Sequence, residues 1–196
     1  MILATTAILR AIADGAIICD PAPARVEGAH IDVTLGPHFW LFTPPIDAAC
    51  LDLESADPLD WYRYHRAYPF ISLALQPRII VPARGFILAH TAEAIGTAPG
   101  SGLVPMLHTR STLARWRMSV CTANAGQGDE GYCGIWTLEI ENPHPVAVAL
   151  PVGARIGAVA FHRVEGEAVN YEVGTRYNKV AHEWTPKDML PRRSNW

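Results

Sequence analysis

The stretch RSTLAR, residues 110–115, places two guanidinium groups, Arg110 and Arg115, on either side of the hydroxyl groups of Ser111 and Thr112. Guanidinium groups bind phosphate oxygens in a bidentate fork, and neighbouring hydroxyl groups add further donors to such a site. The alternative is an ordinary strand edge at which both arginines are solvated, because short clusters of basic and hydroxyl residues are common. From these residues alone, an anion site and a solvated edge both stay open.

A carboxylate with a defined place in a strand follows in IWTLEIEN, residues 135–142. Strict alternation predicts one face with Ile135, Thr137, Glu139 and Glu141, and an opposite face with Trp136, Leu138 and Ile140. A solvated outer face is the usual explanation for such carboxylates. The chemical alternative is that Glu139 is buried and acts as a general base.

The sequence lacks the spacing of a zinc centre. A zinc-dependent nucleobase deaminase needs His-x-Glu together with Pro-Cys-x-x-Cys, whereas HTAE places Glu93 three residues after His90. The four cysteines, Cys19, Cys50, Cys121 and Cys133, are widely separated. We therefore expect no zinc, and reduced thiols in a cytoplasmic protein instead of a disulfide framework.

The elements that must position these residues are mostly short strands. A short N-terminal helix is predicted first, with Thr5 or Thr6 as its cap and Gly15 just past its end. Beyond it, 16 prolines and 15 glycines separate apolar β-type runs. The runs are HIDVTL, FWLF, RIIVP, GFILAHT, SVCTA, GIWTLEIEN, VAVAL and RIGAVAF. Closely spaced strands of this kind indicate a β-sandwich or barrel, and the least regular region is 43–78.

Length and charge limit the remaining possibilities. A chain of 196 residues with 49% hydrophobic and 18% charged residues fits one domain over residues 1–196. The net charge of -3 argues against a general nucleic-acid binder. No apolar run predicts a transmembrane span, and the first residues do not resemble a secretory signal, so we expect a cytoplasmic protein without a membrane partner. Residues 170–196 are predicted to form a mobile C-terminal tail or lid.

Several motifs occur in the order found in a known family. VEGAHIDVTLGPHFWLF contains an Asp-x-x-Leu-Gly strand, RSTLAR is followed by TLE, and LPVGARIGAVAF is similar to a Pro-Gly-x-x-Ile-Gly strand. RYN, residues 176–178, is a weaker match to a C-terminal Lys-Tyr-Gln. With these motifs the chain resembles the dCTP deaminase family, within the dUTPase-like superfamily, over nearly its whole length.

The resemblance implies a mainly β fold, a distorted jelly-roll or β-barrel of the dUTPase-like type with a short N-terminal helix. It also implies a homotrimer whose active sites lie between subunits. The implied reaction converts dCTP to dUTP and ammonia, which supplies dUTP for pyrimidine deoxynucleotide synthesis. Water attacks C4 without a metal at the ring, Glu139 acts as the general base, and Ser111 and Arg115 orient the water and Glu139.

The resemblance further assigns the groups that bind the nucleotide. Arg110, Ser111 and Thr112 would contact the triphosphate, with Mg²⁺ held by the phosphate oxygens. The main chain of Ala123 would read the pyrimidine at the catalytic centre. Asp129 would hold the deoxyribose 3′-hydroxyl, and Tyr132 would pack near the sugar and base. The segment that closes over the nucleotide would contain Tyr171, Arg176, Tyr177 and Asn178.

Several positions depart from the family pattern. Thr109 stands where Gly is common, Thr112 replaces Ser, WRM replaces Leu-Gly-Leu, and Cys121 lies where His is common. The 124–131 loop is longer than usual, Glu130 stands where Pro is frequent, and Asn178 replaces Gln. We hypothesise a divergent deaminase whose base or phosphate preference differs from plain dCTP, including a modified dCTP.

Two further interpretations stay open. Asp129 in DEGYCG partly matches the dUTPase Asp-x-Asp-Tyr-x-Gly turn, which favours a diphosphohydrolase or a bifunctional enzyme that also releases pyrophosphate. Gly131 replaces the second Asp of that turn. A non-catalytic nucleotide-binding regulator is the other interpretation, and the presence of Ser111, Arg115 and Glu139 together argues against it.

Overall fold

The computed structural model describes residues 1–23, 25–42, 65–68, 77–121, 126–166 and 183–189. Its helices are α1 (Thr5–Ala13), α2 (Ser111–Arg115) and a 3₁₀ helix (Pro186–Met189). Its strands are β1 (Ile17–Asp20), β2 (Val26–Glu27), β3 (His30–Thr34), β4 (Phe39–Phe42), β5 (His65–Tyr68), β6 (Arg78–Val81), β7 (Phe86–Thr97), β8 (Leu103–Thr109), β9 (Cys133–Glu141), β10 (Val148–Pro151) and β11 (Arg155–Arg163). The prediction of a mainly β fold with a short N-terminal helix is confirmed.

Helix α1 begins without the predicted side-chain cap. Its N-cap is Ala4, and no side chain caps it. The hydroxyl of Thr5 donates instead to the carbonyl of Gly28 at 2.8 Å, which ties the helix to the β2–β3 turn. Gly15 does lie past the helix end, at φ +74°, in the left-handed region that favours glycine.

Strand β7 organises the larger sheet. Strand β9 pairs antiparallel with β7 along one edge, whereas β4 pairs with residues 87–88 and β1 with residues 94–97 along the other. The second sheet has the order β2-β3-β11-β8, and β6 pairs with β10 separately. The described strands therefore do not close into a barrel, and that part of the prediction is wrong. The reason is that β1 and β4 share one edge of β7, so the sheet branches there instead of continuing around a barrel.

One apolar core lies between the two larger sheets. Along β9 every second residue is buried, and these residues include Trp136, Leu138 and Ile140 of the predicted apolar face, whereas β3 and β7 contain runs of consecutive buried residues. The predicted alternation in IWTLEIEN is thus confirmed. The fully buried side chains of this core include Val33, Ile87, Ile95, Leu138, Ile140, Val159 and Phe161.

The C-terminal residues 183–189 pack against the outer side of β7. Met189 is buried beside Trp40 and Leu88, and the indole of Trp184 lies 4.4 Å from the imidazole of His90, centre to centre. Asp188 accepts hydrogen bonds from the backbone N–H and hydroxyl of Thr185, which closes this turn. The predicted irregular region 43–78 lies outside the described residues except for β5 and residues 77–78, as do residues 170–182 and 190–196 of the predicted tail.

The hydrogen bonds of His90 fix the tautomer of its imidazole. Its Nδ1 lies 2.7 Å from the carbonyl oxygen of Thr91, which can only accept, so Nδ1 carries the proton. Nε2 then accepts from the backbone N–H of His38 at 3.2 Å. Burial, with a smaller contribution from the nearby His38, lowers the pKa of His90 from 6.5 to about 4, although its hydrogen bond to the Thr91 carbonyl acts in the opposite direction. The folded protein therefore keeps this imidazole neutral.

We predict that acid weakens the fold through His90. A histidine with a depressed pKa contributes stability that is complete above pH 6.5 and is lost as the pH falls from 6.5 to about 4. Between about pH 7 and about pH 5 this group removes about 2 kcal/mol from the free energy of unfolding. Denaturant titrations at both pH values measure it. His90→Gln keeps an amide donor but does not titrate, so its loss over the same interval should be smaller by that amount. An equal loss in the free energy of unfolding in the unaltered protein and in His90→Gln would contradict the role of His90.

Candidate active site

The RSTLAR motif forms a helix and not a strand edge. Helix α2 follows β8 directly, and Arg110 is its extended N-cap residue. The helix ends in a Schellman arrangement, in which the N–H of Arg117 donates to the carbonyl of Ala114 at 2.8 Å and that of Met118 to Leu113 at 3.3 Å. Buried Met118 and partly buried Leu113 anchor this end in the core. The helix therefore presents its polar residues outward from a fixed base.

The WRM residues have separate structural roles. Arg117 has φ +56°, in the left-handed region, at the position where a Schellman motif usually has glycine. The carbonyl of Trp116 accepts a hydrogen bond from Nε2 of His144 at 2.6 Å, whereas its side chain is 67% exposed. WRM is thus a helix terminus tied to the 142–146 turn.

Arg110 is engaged with a buried carboxylate. Its Nη1 donates to Oδ2 of Asp32 at 2.5 Å, and Nη1 of Arg155 donates to the same oxygen at 3.1 Å. Nε2 of His30 lies 3.5 Å from Oδ1. Asp32 exposes 5% of its side chain, and within the described part of the chain its Oδ1 is buried without a hydrogen-bond partner.

This cluster carries a surplus of positive charge. Two guanidinium groups share one carboxylate, and each keeps further N–H donors because a guanidinium has five. The side chain of Arg110 is about one quarter exposed and that of Arg155 nearly half exposed. The carboxylate therefore fixes Arg110 at the start of α2 without neutralising the site, which leaves it able to attract an anion.

Glu139 lies at the edge of β9, beside the segment that follows α2. Its backbone N–H donates to the carbonyl of Val120 at 2.9 Å, and Ser119 forms an isolated bridge with Glu141. The Glu139 side chain is half-buried, on the face opposite Leu138 and Ile140. The carboxylate is therefore neither a freely solvated surface group nor part of the apolar core.

A cavity of about 360 Å³ opens next to this segment. Burial raises the pKa of the Cys121 thiol, and the negative charge of Glu139 raises it further. The pKa of His108 is lowered by burial and by the neighbouring His162 and His30. Both groups therefore present neutral side chains to the cavity near pH 7. The lining residues are Met106, Leu107, His108, Thr109, Ser119, Cys121, Gly126 and Gln127.

The turn before β9 is held by its own polar groups. Glu130 is buried and accepts the backbone N–H of Gly102 at 2.5 Å, which gives this departure from the family pattern a structural role. Asp129 is exposed, and its carbonyl accepts the N–H of Tyr132 at 3.1 Å. Tyr132 is 9% exposed and packs edge-on against Trp136, with ring centres 4.8 Å apart.

The structure brings together part of the predicted site. Arg110 and the short helix lie at one end of β8, and Glu139 lies across the 118–121 segment from it. Ser111, Thr112 and Arg115 are exposed, and among the described residues no hydrogen bond or ion pair joins Ser111 or Arg115 to Glu139. The predicted site residues outside the described ranges are Ala123, Tyr171, Arg176, Tyr177 and Asn178.

Asp32 is the site residue that the sequence interpretation missed. It lies in HIDVTL between the fully buried Ile31 and Val33. A carboxylate between two core positions of a short strand needs a partner, and that signal was available. The partners themselves are 78 and 123 residues away in the chain and could not be read from it.

The described residues hold neither a metal-binding cluster nor a membrane-spanning helix. No group of three His, Cys, Asp or Glu side chains there could hold a metal ion. No helix in those ranges is both long and apolar enough to cross a bilayer.

A family model described as dCTP deaminase-like matches residues 2–164. The chain belongs to this dCTP deaminase-like family. The matched range includes β1 to β11 and α2, so it contains Asp32, Arg110 and Glu139 but not the C-terminal residues.

Individual relatives show how far the likeness extends. The dUMP-forming dCTP deaminase of Cytophaga hutchinsonii is 36% identical over 52% of this chain and 60% of its own length. The dUMP-forming dCTP deaminase of Coprothermobacter proteolyticus is 30% identical over 82% and 81%. The chain thus spans less than two thirds of the Cytophaga protein.

A solved structure shows the same fold. The 2′-deoxycytidine 5′-triphosphate deaminase of Agrobacterium tumefaciens superposes with a TM-score of 0.57 at 19% identity, over 84% of this chain and 48% of that one. At 19% identity, this structural similarity is evidence for a shared fold alone.

We predict that Arg117→Gly stabilises this member of the dCTP deaminase-like family. A side chain in the left-handed region costs about 1 kcal/mol relative to glycine, so the free energy of unfolding should rise by about that amount. Denaturant midpoints at constant slope measure the gain. Arg117→Ala is the matched control, because it removes the guanidinium but keeps the Cβ atom. An equal gain in both variants would place the effect in the side chain and not in the backbone.

Proposed function

We propose that this chain is a deaminase that hydrolyses the 4-amino group of a deoxycytidine nucleotide, with dCTP as its substrate. The observation that carries the proposal is the half-buried Glu139, placed by β9 beside Cys121 and its adjoining cavity. Membership in the dCTP deaminase-like family and relatives named dCTP deaminase support the choice of nucleotide.

The proposed chemistry uses Glu139 as the general base. Its carboxylate removes a proton from a water molecule as the oxygen attacks C4, and it delivers that proton to N3. The remaining proton of the new C4 hydroxyl then passes through the same carboxylate to the departing amine, which leaves C4 as a carbonyl. The C4–N bond breaks, ammonia leaves and the uracil ring remains. Ser111 and Arg115 orient the water and the carboxylate, and the main chain of Ala123 reads the pyrimidine.

The triphosphate is assigned to the beginning of α2. Arg110, Ser111 and Thr112 supply guanidinium and hydroxyl donors, and Asp32 keeps Arg110 in place. Mg²⁺ would enter with the nucleotide, bound by phosphate oxygens, where it offsets their charge. Asp129 and Tyr132 would hold the sugar, and Tyr171, Arg176, Tyr177 and Asn178 would close over the nucleotide.

A homotrimer with sites between subunits is part of the proposal. In one chain Ser111, Thr112 and Arg115 lie exposed on α2, and the Trp116 side chain beside them is 67% exposed. Large exposed aromatic side chains of this kind favour burial at an interface. A second copy seated on this helix would exclude water from the same groups that are proposed to bind the substrate.

The descriptions of two relatives favour dUMP as the product in place of dUTP. The Cytophaga and Coprothermobacter proteins are both described as dUMP-forming. A bifunctional enzyme would deaminate dCTP and then release pyrophosphate, so its product would be dUMP instead of dUTP. The exposed Asp129 lies in the turn that partly matches the dUTPase motif.

We predict ammonia release from dCTP in the presence of Mg²⁺. Chromatography of the products, together with ammonia detection, distinguishes the candidates: dUTP for a deaminase alone, and dUMP with pyrophosphate for the bifunctional enzyme. Parallel assays with dCMP, dUTP and 5-substituted dCTP test the hypothesis of altered preference. Hydrolysis of dUTP without any deamination would contradict the proposal and favour a diphosphohydrolase.

We predict that Glu139→Gln reduces turnover by at least about 100-fold, because an amide cannot accept the proton of the attacking water. Glu141→Gln is the matched control, since it makes the same change two residues away on the exposed end of β9. It should keep turnover near that of the unaltered protein. Nucleotide binding measured by calorimetry should persist in Glu139→Gln. Full turnover in that variant would refute the role of Glu139.

A further inference from the structure

Thr109 joins the start of the RSTLAR helix to the segment beside Glu139. It is the last residue of β8, where it pairs with Gly157 of β11, and it directly precedes Arg110. Its hydroxyl oxygen accepts the backbone N–H of Val120 at 3.1 Å. This hydrogen bond therefore joins two residues that are eleven positions apart in the chain, with α2 between them.

The same Val120 residue continues the connection to β9. Its carbonyl accepts the N–H of Glu139 at 2.9 Å, and its side chain is fully buried. The two hydrogen bonds of Val120 thus run from the Thr109 hydroxyl to the main chain of Glu139. Residues 118–121 form an isolated bridge but no strand, so each such bond matters for where the segment lies.

The hydroxyl of Thr109 supplies a hydrogen-bond acceptor for the backbone N–H of Val120. The Val120 N–H lies next to a fully buried side chain, and a buried donor without an acceptor costs a large part of its solvation. Threonine supplies the acceptor from a β-branched side chain whose rotamer is restricted. The glycine that the family commonly has at this position offers no side-chain acceptor.

We propose that Thr109 is a positioning residue for the deamination, acting through Val120 on Glu139. This inference rests on the proposed function, because it presumes that Glu139 is the general base. Thr109 holds the 118–121 segment against β8, and this fixes the strand edge from which Glu139 projects. Thr109 also links that strand edge to Arg110, so that the phosphate-binding helix and the general base Glu139 keep a fixed distance and orientation relative to each other.

The test compares Thr109→Val with Thr109→Ser. Valine keeps the branched shape but has no acceptor, so kcat for dCTP should fall by about 10- to 100-fold, as expected for a misplaced catalytic group. KM should stay within about two-fold, because the phosphate and base contacts are intact. Serine restores the acceptor, and its kcat should return to within about three-fold of the unaltered protein.

Thr91→Val provides a control for general destabilisation. The Thr91 hydroxyl accepts the N–H of Trp136 on the same strand β9 at 2.9 Å and donates to the carbonyl of Glu93, so neither of these hydrogen bonds involves residues 118–121. This variant should melt at a lower temperature and yet keep kcat when assayed well below its midpoint. An equal loss of kcat in Thr91→Val and Thr109→Val would overturn the positioning role.

Amide hydrogen exchange gives a readout that does not depend on turnover. In Thr109→Val, the amides of Val120 and Glu139 should exchange faster than in Thr109→Ser, while the amide of Leu138 is unaffected. Unchanged exchange at both amides would overturn the inference, as would a raised KM with native kcat, which would mean direct contact with substrate. Native kcat in Thr109→Val would overturn this inference alone. Failure of the unaltered protein to deaminate any deoxycytidine nucleotide would overturn the proposed function and the inference with it.

Discussion

The register of β9 against β7 is the constraint on which the candidate site depends. Leu88 faces Glu139 across this ladder, and the neighbouring pairs place Leu138 and Ile140 in the core. A shift of one residue would expose both apolar side chains and turn Glu139 into the core, so the apolar face strongly specifies the register. The position of the carboxylate is therefore a consequence of core packing.

A bulge in β7 interrupts this ladder beyond the His90–Thr137 pair. Between His90 and Ala94 the pairing shifts, and the Thr91 hydroxyl there accepts the N–H of Trp136 and donates to the carbonyl of Glu93. Glu93 in turn accepts the backbone N–H and hydroxyl of Thr34 at 2.8 and 2.7 Å. The irregularity that interrupts the ladder thus satisfies its own polar groups and links β7 to β3, the strand that carries Asp32. Removing one arginine from Asp32 would leave a buried carboxylate with less compensation, which is more costly than losing an exposed pair.

The sequence predicted what depends on local pattern. Alternation in residues 135–142 was enough to assign the faces of β9, because one side of that strand is buried throughout. Local pattern was not enough for residues 110–115, where Leu113 and Ala114 fit a strand edge as well as a helix. It also could not show that Thr5 binds Gly28 instead of capping α1, or that Arg110 meets Asp32, since those partners are brought together by tertiary pairing.

The departures from the family pattern gain meaning from these contacts. As departures from the family pattern, Thr109, Arg117 and Glu130 predict an altered base or phosphate preference. Yet Arg117 ends α2 in the left-handed region, Glu130 binds the N–H of Gly102, and Thr109 binds that of Val120. All three act on the backbone. An altered base preference must then come from side chains that face the cavity. Of the departing positions, Thr109 and Cys121 line it, and Cys121 also lies near Glu139, whose charge raises the pKa of the thiol. In the proposed deaminase, a neutral thiol there would offer the pyrimidine only a weak donor and a weak acceptor, so recognition of the ring would fall to main-chain groups.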